Sequence, residues 1–165
     1  MTAMSTAVIA ILSQTAIPLP SGVPVTLATF AVALAGYFSG SLCAVLSATV
    51  YLVLGAAGLP LFTGFSGGIG HILGPSGGFI SGYIPLALIC GTAGKIKNAP
   101  LAILLGITAM LSCHAIGILH FAAVTARTVY EAFVTASLPF LIKDVISVAA
   151  AYFISKILRR RLSKN

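Results

Sequence analysis

Long apolar runs, separated by short polar breaks or by glycine- and proline-rich breaks, make up almost the whole chain. A helix needs about 20 apolar residues to cross a hydrocarbon layer about 30 Å thick. The pattern therefore predicts an all-α integral membrane protein with six transmembrane helices, in a single domain covering residues 1–165. The six apolar runs cover residues 3–17, 27–38, 42–59, 77–94, 101–124 and 138–158.

The second of these runs, residues 27–38, is too short to cross a bilayer unaided. It would cross where the protein is locally thin or where other helices cover it. The alternative is one bent element over residues 27–59, which would leave five spans. The charge pattern cannot choose between these topologies, because the first charged residue of the chain is Lys95.

The composition excludes most classes of soluble protein. Hydrophobic residues make up 59% of the chain and charged residues 7%, against about 25% charged residues in a typical soluble domain. The mean hydropathy is +1.12. A soluble enzyme, a nucleic-acid-binding domain and a disordered chain are therefore excluded, and a multi-pass protein of the cytoplasmic membrane, surrounded by lipid, is predicted.

The positive charges indicate how the chain is oriented. Cytoplasmic loops of membrane proteins carry an excess of Lys and Arg. Seven of the cations lie between the fourth and fifth runs, or near the end of the sixth run and beyond it: Lys95, Lys97, Lys156, Arg159, Arg160, Arg161 and Lys164. These segments are predicted to be cytoplasmic, and the connector with Arg127 and Glu131 is predicted to lie outside. With six spans, both termini would be cytoplasmic.

Two predicted external loops have unusual sequences. Residues 17–26 read IPLPSGVPVT, and their three prolines favour a rigid, non-helical segment. Residues 63–78 read TGFSGGIGHILGPSGG and contain seven glycines. Non-helical backbone at membrane depth persists only where protein buries it or where it lines a cavity. We therefore expect both loops to close over a pocket; the alternative is a plain flexible connector.

Lys143 and Asp144 lie near the predicted outer end of the last span. Ionisable residues inside a membrane are costly and usually functional. Asp144 is predicted to accept hydrogen bonds from N–H groups of a ligand; the alternative is a local ion pair that stabilises the helix end. Lys143 would either bind a ligand carboxylate or form a local ion pair at the helix end. Ser147 follows Asp144 by three residues and Lys143 by four, so it lies near the same helix face.

The remaining polar residues of the spans allow two interpretations each. His114 is either a polar contact in the pocket or a packed core residue, and Gln14 is either a contact between helices or a ligand contact. Ala3 and Ala7, four residues apart, would let another helix approach closely, or they are ordinary packing residues.

Neither a metal site nor a catalytic site is expected. His114 and His120 lie on different helix faces, and the three cysteines lie in separate apolar runs. Since the chain has one Asp, one Glu and no Walker motif, we expect no enzyme activity, no ATP hydrolysis, no metal and no cofactor.

Three segments carry a resemblance to a known family. QTAIPLPSGVPVTLATFAVALAG (14–36), GLPLFTGFSGGIGHILGPSGGFISGY (58–83) and LPFLIKD (138–144) resemble BioY, the biotin-specific S component of energy-coupling factor (ECF) transporters. The resemblance implies a compact six-helix S-component bundle, with an external biotin pocket capped by the first and third loops. It also implies an ECF transmembrane coupling protein and two ABC ATPases as partners, contacted partly through Ala3 and Ala7 of the first span.

The chemistry of the residues, taken together with the resemblance, gives ten candidate substrate-binding residues: Gln14, Thr26, Gly67, Gly68, Tyr83, His114, Arg127, Lys143, Asp144 and Ser147. Ser147 stands where the family has a Lys, so Lys143 or Arg127 would have to supply a charge for the ligand carboxylate. The expected function is capture and uptake of biotin. The alternatives are an S component for another vitamin and a small membrane assembly protein that binds no solute.

Overall fold

Helices form most of the chain in the computed structural model, which describes residues 1–17 and 22–162. In chain order the elements are α1 (Thr2–Ser13), β1 (Ala16–Ile17), β2 (Val25–Thr26), α2 (Ala28–Ser39), α3 (Ser41–Ala56), α4 (Ile69–Leu73), α5 (Gly77–Ser81), α6 (Tyr83–Ala93), α7 (Ala99–Thr125), α8 (Val129–Ala136) and α9 (Leu138–Leu162). The predicted rigid prolines Pro18 and Pro20, and the terminal cation Lys164, lie outside the described residues.

Each of the six predicted apolar runs contains helix. By length and composition, α7 and α9 are able to cross a membrane, with 27 and 25 residues. Four shorter apolar helical stretches accompany them, namely α1, α2, α3 and the α5–α6 pair. A helix of 12 residues, the length of α1 and of α2, is only about 18 Å long at 1.5 Å per residue.

The segment from 27 to 59 forms two helices. Gly40 separates α2 from α3, and its φ of 83° is a backbone conformation that glycine adopts without strain. The two helices pack against each other, as in a helical hairpin, instead of continuing as one bent element. Because α2 also packs against α1, α6 and α9, protein surrounds this short helix on most sides.

Small residues allow α2 and α6 to approach closely. A Cβ atom added at Gly36 would lie 2.8 Å from the Cys90 Cβ and 3.0 Å from the Gly91 backbone nitrogen. Cys90 is fully buried at this crossing. Such contacts between small residues are the main way in which apolar helices associate closely within a membrane.

Several helix ends have local causes. The Asn98 side chain accepts a hydrogen bond from the Leu101 N–H at 3.3 Å and so caps the start of α7. Ala126 ends the same helix in the left-handed conformation, with φ of 52°. Pro85 has no N–H to donate to the carbonyl of Ser81, and the chain breaks there into α5 and α6.

The predicted external connector, residues 127–137, contains the additional helix α8. Thr128 and Glu131 form a capping box in which the Thr128 hydroxyl accepts from the Glu131 N–H at 3.3 Å. The Glu131 carboxylate accepts from the Thr128 N–H at 3.0 Å. These hydrogen bonds lower the pKa of the exposed Glu131 carboxyl below its usual value. The sequence signal for this helix start is the Thr-x-x-Glu spacing.

Arg159 connects three helices at one end of the bundle. Its guanidinium donates to the Phe38 carbonyl near the end of α2, at 3.0 and 3.2 Å, and to the Gly94 carbonyl after α6, at 3.0 Å. A cation at helix C-termini is favourable because the last carbonyls carry partial negative charge. Near the start of the chain, the hydroxyls of Ser5 and Ser39 lie 3.2 Å apart at the same end. The first turns of α1 and the last turns of α9 therefore lie at the same end of the bundle, both beside the end of α2.

Candidate functional site

A cavity of about 440 Å³ lies at the opposite end of the bundle, where α2, α6 and α9 begin. Its size falls within the roughly 300–1,000 Å³ that is typical of small-molecule sites. Residues from the first loop, the glycine-rich segment with α4, and seven other helices form its wall: Gly22, Val23, Pro24, Thr26, Thr29, Tyr51, Phe62, Thr63, Gly64, Gly70, His71, Gly74, Pro75, Ser76, Phe79, Ile80, Tyr83, Cys113, His114, Ala136, Phe140, Lys143 and Asp144.

Both unusual loops contribute to this wall. The first loop folds back as a short antiparallel hairpin in which Ala16 pairs with Thr26 and Ile17 with Val25. Its second half brings Gly22, Pro24 and other residues over the cavity. The glycine-rich segment covers another side with residues between 62 and 76. The prediction that both loops close over one pocket is therefore confirmed.

Aromatic side chains form much of the apolar wall. The rings of Tyr51 and Phe62 meet edge to face, with centroids 5.5 Å apart. On its other side Tyr51 contacts Tyr83, with a centroid distance of 6.4 Å. Phe79 and Phe140 line further parts of the cavity. Such a wall suits a ligand with an apolar body, because edge-to-face and offset contacts between rings also fix its shape.

Asp144 forms the polar end of the cavity together with two basic side chains. Its side chain is 5% exposed. One oxygen, Oδ2, lies 3.1 Å from Nε2 of His114, and the other, Oδ1, contacts the ammonium group of Lys143. An unpaired carboxylate buried among apolar groups would be strongly unfavourable. The two neighbours therefore allow an ionised acceptor to be held at the cavity wall.

Ser137 fixes the orientation of the His114 ring. An ionised carboxylate only accepts hydrogen bonds, so the His114 Nε2–H donates to Asp144. In the neutral ring the Nδ1 atom is then an acceptor, and the Ser137 hydroxyl donates to it at 2.7 Å. Although Ser, His and Asp also form hydrolase triads, Ser137 is fully buried and lies outside the cavity wall. The arrangement positions Asp144 and gives no access to a serine nucleophile.

Lys143 joins the last helix to the first loop. Its Nζ donates to the Thr26 carbonyl at 2.7 Å while it contacts the neighbouring Asp144 carboxylate. The side chain is 27% exposed, so most of it is covered by protein and its charge is only partly screened by solvent. The local ion pair that was one alternative for Lys143 is present. The hydrogen bond from Lys143 to Thr26 also anchors the hairpin over the cavity.

Five of the predicted substrate-binding residues lie on the cavity wall, namely Thr26, Tyr83, His114, Lys143 and Asp144. The other five lie outside it: Gln14, Gly67, Gly68, Arg127 and Ser147. Ser147 is buried one turn further along α9 than Asp144, away from the cavity. Arg127 is exposed beside Glu131, in a separate shallow groove next to α8.

The two predicted loop glycines shape the backbone instead of facing the cavity. A Cβ atom at Gly67 would lie 2.3 Å from the Leu59 carbonyl oxygen, so only glycine fits this close approach. Gly68 has φ of 101°, and its N–H donates to the Gly55 carbonyl at 2.7 Å. Both contacts hold the glycine-rich segment against the end of α3.

Several wall residues were not predicted from the sequence, including Thr29, Tyr51, Phe62, His71, Phe79 and Phe140. His71 stacks on Phe62, with ring centroids 5.9 Å apart and planes 2° from parallel. His120, which is outside the wall, lies with Nε2 3.1 Å from the Gly74 carbonyl and so supports the glycine-rich segment from α7. For Phe62, His71 and Phe79 the available signal was the presence of aromatic rings in and beside a glycine-rich loop, whereas Thr29, Tyr51 and Phe140 lie in other helices and carried no such signal.

Two further predictions concern metals and the first helix. Within residues 1–17 and 22–162, no group of three or more His, Cys, Asp or Glu side chains is arranged to hold a metal ion.

Ala3 and Ala7 lie on the exposed face of α1, together with Met4 and Ile11. Their side chains are thus available to lipid or to another helix.

Two relatives of this chain are named as a probable biotin transporter and a biotin transporter. The chain is 40% identical over 134 residues to the probable biotin transporter BioY of Pyrococcus horikoshii, covering 81% of this chain and 79% of that protein. It is 40% identical over 111 residues to the biotin transporter BioY of Rhodobacter capsulatus, covering 64% of this chain and 58% of that protein.

A solved structure has the same fold. The crystal structure of the S component for biotin from an ECF-type ABC transporter matches with a TM-score of 0.88 and 25% sequence identity, covering 96% of this chain and 88% of that chain. A membrane protein is therefore indicated by fold as well as by composition. The model of the BioY family matches residues 1–164. This chain belongs to the BioY family.

Proposed function

We propose that this protein is the substrate-binding S component of an ECF-type transporter and that it captures biotin for uptake across the cytoplasmic membrane. The observation that carries this proposal is the cavity beneath both loops, which has an aromatic wall and one polar end at Asp144. Two relatives named as biotin transporters and a solved S component for biotin support the choice of ligand.

The chemistry of biotin fits this cavity. Its ureido ring offers two N–H donors, its thiophane body is apolar, and its tail carries a carboxylate. Asp144 would accept from the ureido N–H groups, because the buried carboxylate faces the cavity between His114 and Lys143. The rings of Tyr51, Phe62 and Tyr83 would surround the apolar body.

Calorimetry on the protein in detergent tests the ligand assignment. We expect tight binding of biotin and no binding of other vitamins, such as thiamin or riboflavin, at the same concentrations. Preferential binding of another vitamin would identify an S component with a different substrate. A folded protein that binds none of the vitamins would favour a membrane assembly role and contradict the proposal.

Six spans with both termini in the cytoplasm are part of the proposal. The contacts of Ser5 with Ser39 and of Arg159 with Phe38 bring both ends of the described chain to one end of the bundle. Lys95 follows α6, which ends there, and Arg160 and Arg161 lie in the last turn of α9; all three side chains are exposed. The positive-inside rule would place this end in the cytoplasm and the cavity outside.

Cysteine labelling of intact cells tests this orientation. A membrane-impermeant maleimide should label cysteines introduced by Ile69→Cys and Tyr130→Cys, because both side chains are exposed near the predicted outer face. Lys97→Cys should be labelled only after the cells are opened. The protein with only its native cysteines supplies the background. Labelling of Lys97→Cys in intact cells would contradict the orientation.

The transport partners would be an ECF transmembrane coupling protein and two ABC ATPases, which would supply the ATP hydrolysis. Ala3 and Ala7 would contribute to this contact, since both are small and lie on the exposed face of α1. No role for nucleic acid is proposed, and the outer apolar surface of the bundle would face lipid.

A further inference from the structure

Gln14 lies just after α1 and uses its side-chain amide to hold a distant turn of backbone. Its Nε2 donates to the carbonyls of Leu61 and Phe62, at 2.9 and 3.1 Å. Its Oε1 accepts from the N–H of Phe65 at 2.8 Å. Both ends of the amide are therefore bonded to one short stretch of the glycine-rich segment, and Gln14 does not itself line the cavity.

The stretch that Gln14 holds is a tight turn over the cavity. Phe62 and Ser66 pair across it, with N–H to carbonyl distances of 2.9 and 3.3 Å. Thr63 and Gly64, between them, line the cavity. Phe65 has φ of 53°, a left-handed conformation that is uncommon for a bulky residue and costs free energy unless its surroundings hold it. The hydrogen bond from its own N–H to Gln14 is one such restraint.

A second contact holds the turn from within the glycine-rich segment. The Ser66 hydroxyl donates its one hydrogen to the Thr63 carbonyl at 2.6 Å. It can therefore only accept from His71, whose Nε2 lies 2.6 Å away and carries the donated hydrogen. His71 belongs to the same segment as the turn, whereas Gln14 belongs to a different helix. Gln14 thus fixes the position of the turn relative to the bundle.

We propose that Gln14 is a positioning residue that holds the Phe62–Ser66 turn closed over the cavity and so sets the rate at which ligand enters and leaves. The inference rests on the proposed function, because it takes biotin as the ligand. Loss of the amide contacts would let the turn open more often. Opening speeds entry and exit together, as for other loops that cover binding sites, and the equilibrium affinity changes less than either rate.

The test compares Gln14→Leu with the unaltered protein by stopped-flow binding of biotin in lipid nanodiscs. We expect the association and dissociation rates to rise together, the latter by about tenfold or more, because the variant loses all three hydrogen bonds of the amide and each net hydrogen bond changes a rate or equilibrium constant by up to about tenfold. Thr15→Val is the matched control, since Thr15 is the exposed neighbour at the same helix end and its rates should not change.

Two outcomes would overturn the inference. An unchanged dissociation rate in the folded variant would show that the turn does not depend on Gln14. A faster dissociation with an unchanged association rate would show that Gln14 contacts the ligand. If Gln14→Leu does not fold, Gln14→Asn takes its place. It keeps the amide but is one methylene shorter, so a smaller rise of both rates is expected.

A measurement without biotin separates this inference from the proposed ligand. A cysteine introduced by Thr63→Cys lies at the cavity face of the turn, and its rate of maleimide labelling reports how often the turn opens. We expect labelling to be several-fold faster when Gln14→Leu is added. Equal labelling rates would overturn the inference. If the unaltered protein fails to bind biotin while the labelling rates differ, only the proposed ligand is wrong.

Discussion

Replacement of Asp144 by Asn is expected to weaken biotin binding by about 1.5–3 kcal/mol, the usual contribution of a hydrogen bond to a charged group. This corresponds to a dissociation constant roughly 10–150 times higher. Asn has nearly the same shape as Asp but carries no charge. It would accept less strongly from the ureido N–H groups, and it would leave the ammonium group of Lys143 without its neighbouring anion.

Calorimetry of Asp144→Asn beside the unaltered protein measures this loss. Ser147→Ala is the matched control, because Ser147 is buried on the same helix but lies outside the cavity wall. The control should keep its affinity, and thermal melting should show that both variants are folded. If Asp144→Asn binds biotin as tightly as the unaltered protein does, the carboxylate has no part in recognition.

The longest helices were predictable because only their own composition determines them. The apolar runs 101–124 and 138–158 lie within the observed α7 and α9, and the polar residues beside each run set the helix ends. The strands β1 and β2 are two residues long and exist only because Ala16 and Thr26 pair across a proline-containing loop. No local periodicity of the sequence indicates such a pair, since two residues cannot display an alternating pattern.

The polar end of the site was partly predictable from the cost of charge. Lys143 and Asp144 stand out in an apolar run, because a charge there has few explanations. Ser137 could not be recognised in the same way. In sequence it resembles any small packing residue, and its role follows only from the position of His114, 23 residues earlier in the chain. Which way a helix turns its side chains depends on the neighbours it packs against.

The positions of the candidate residues outside the cavity also depend on packing that the sequence does not reveal. Ser147 shares a helix face with Asp144 by spacing, but one helical turn along α9 is enough to place it beyond the wall. Gln14 was predicted to contact either a ligand or another helix. It bonds the backbone of a turn about 50 residues later instead, with sequence separations of 47, 48 and 51. An amide has no preference of its own among backbone groups, so only the tertiary fold selects its partners.

The position of Lys143 changes the expected role of its charge. By resemblance, it was a candidate to replace the family's Lys at Ser147 and to bind the carboxylate tail of biotin. In the structure its ammonium donates to the Thr26 carbonyl at 2.7 Å and contacts Asp144. Both contacts belong to the end of the cavity that holds the proposed acceptor of the ureido N–H groups. Lys143 therefore supports Asp144 and the hairpin more directly than it serves the carboxylate.

We therefore expect Lys143→Ala to weaken biotin and biotin amide by the same factor. The factor should be about tenfold or more, since a hydrogen bond to a charged group contributes about 1.5–3 kcal/mol. The physical reason is that the change leaves the buried Asp144 carboxylate without its adjacent cation and frees the Thr26 end of the hairpin from α9. Neither loss depends on the charge of the ligand tail.

Competition binding of the acid and the amide, on the same preparation, measures the two factors. Lys143→Arg keeps the positive charge and should recover part of the affinity for both ligands. Arg160→Ala removes an exposed cation elsewhere on α9 and should change neither. A loss confined to the acid would mean that Lys143 binds the ligand carboxylate after all. In that case the ammonium must leave the Thr26 carbonyl when biotin enters, and the hairpin would be released by the ligand that it covers.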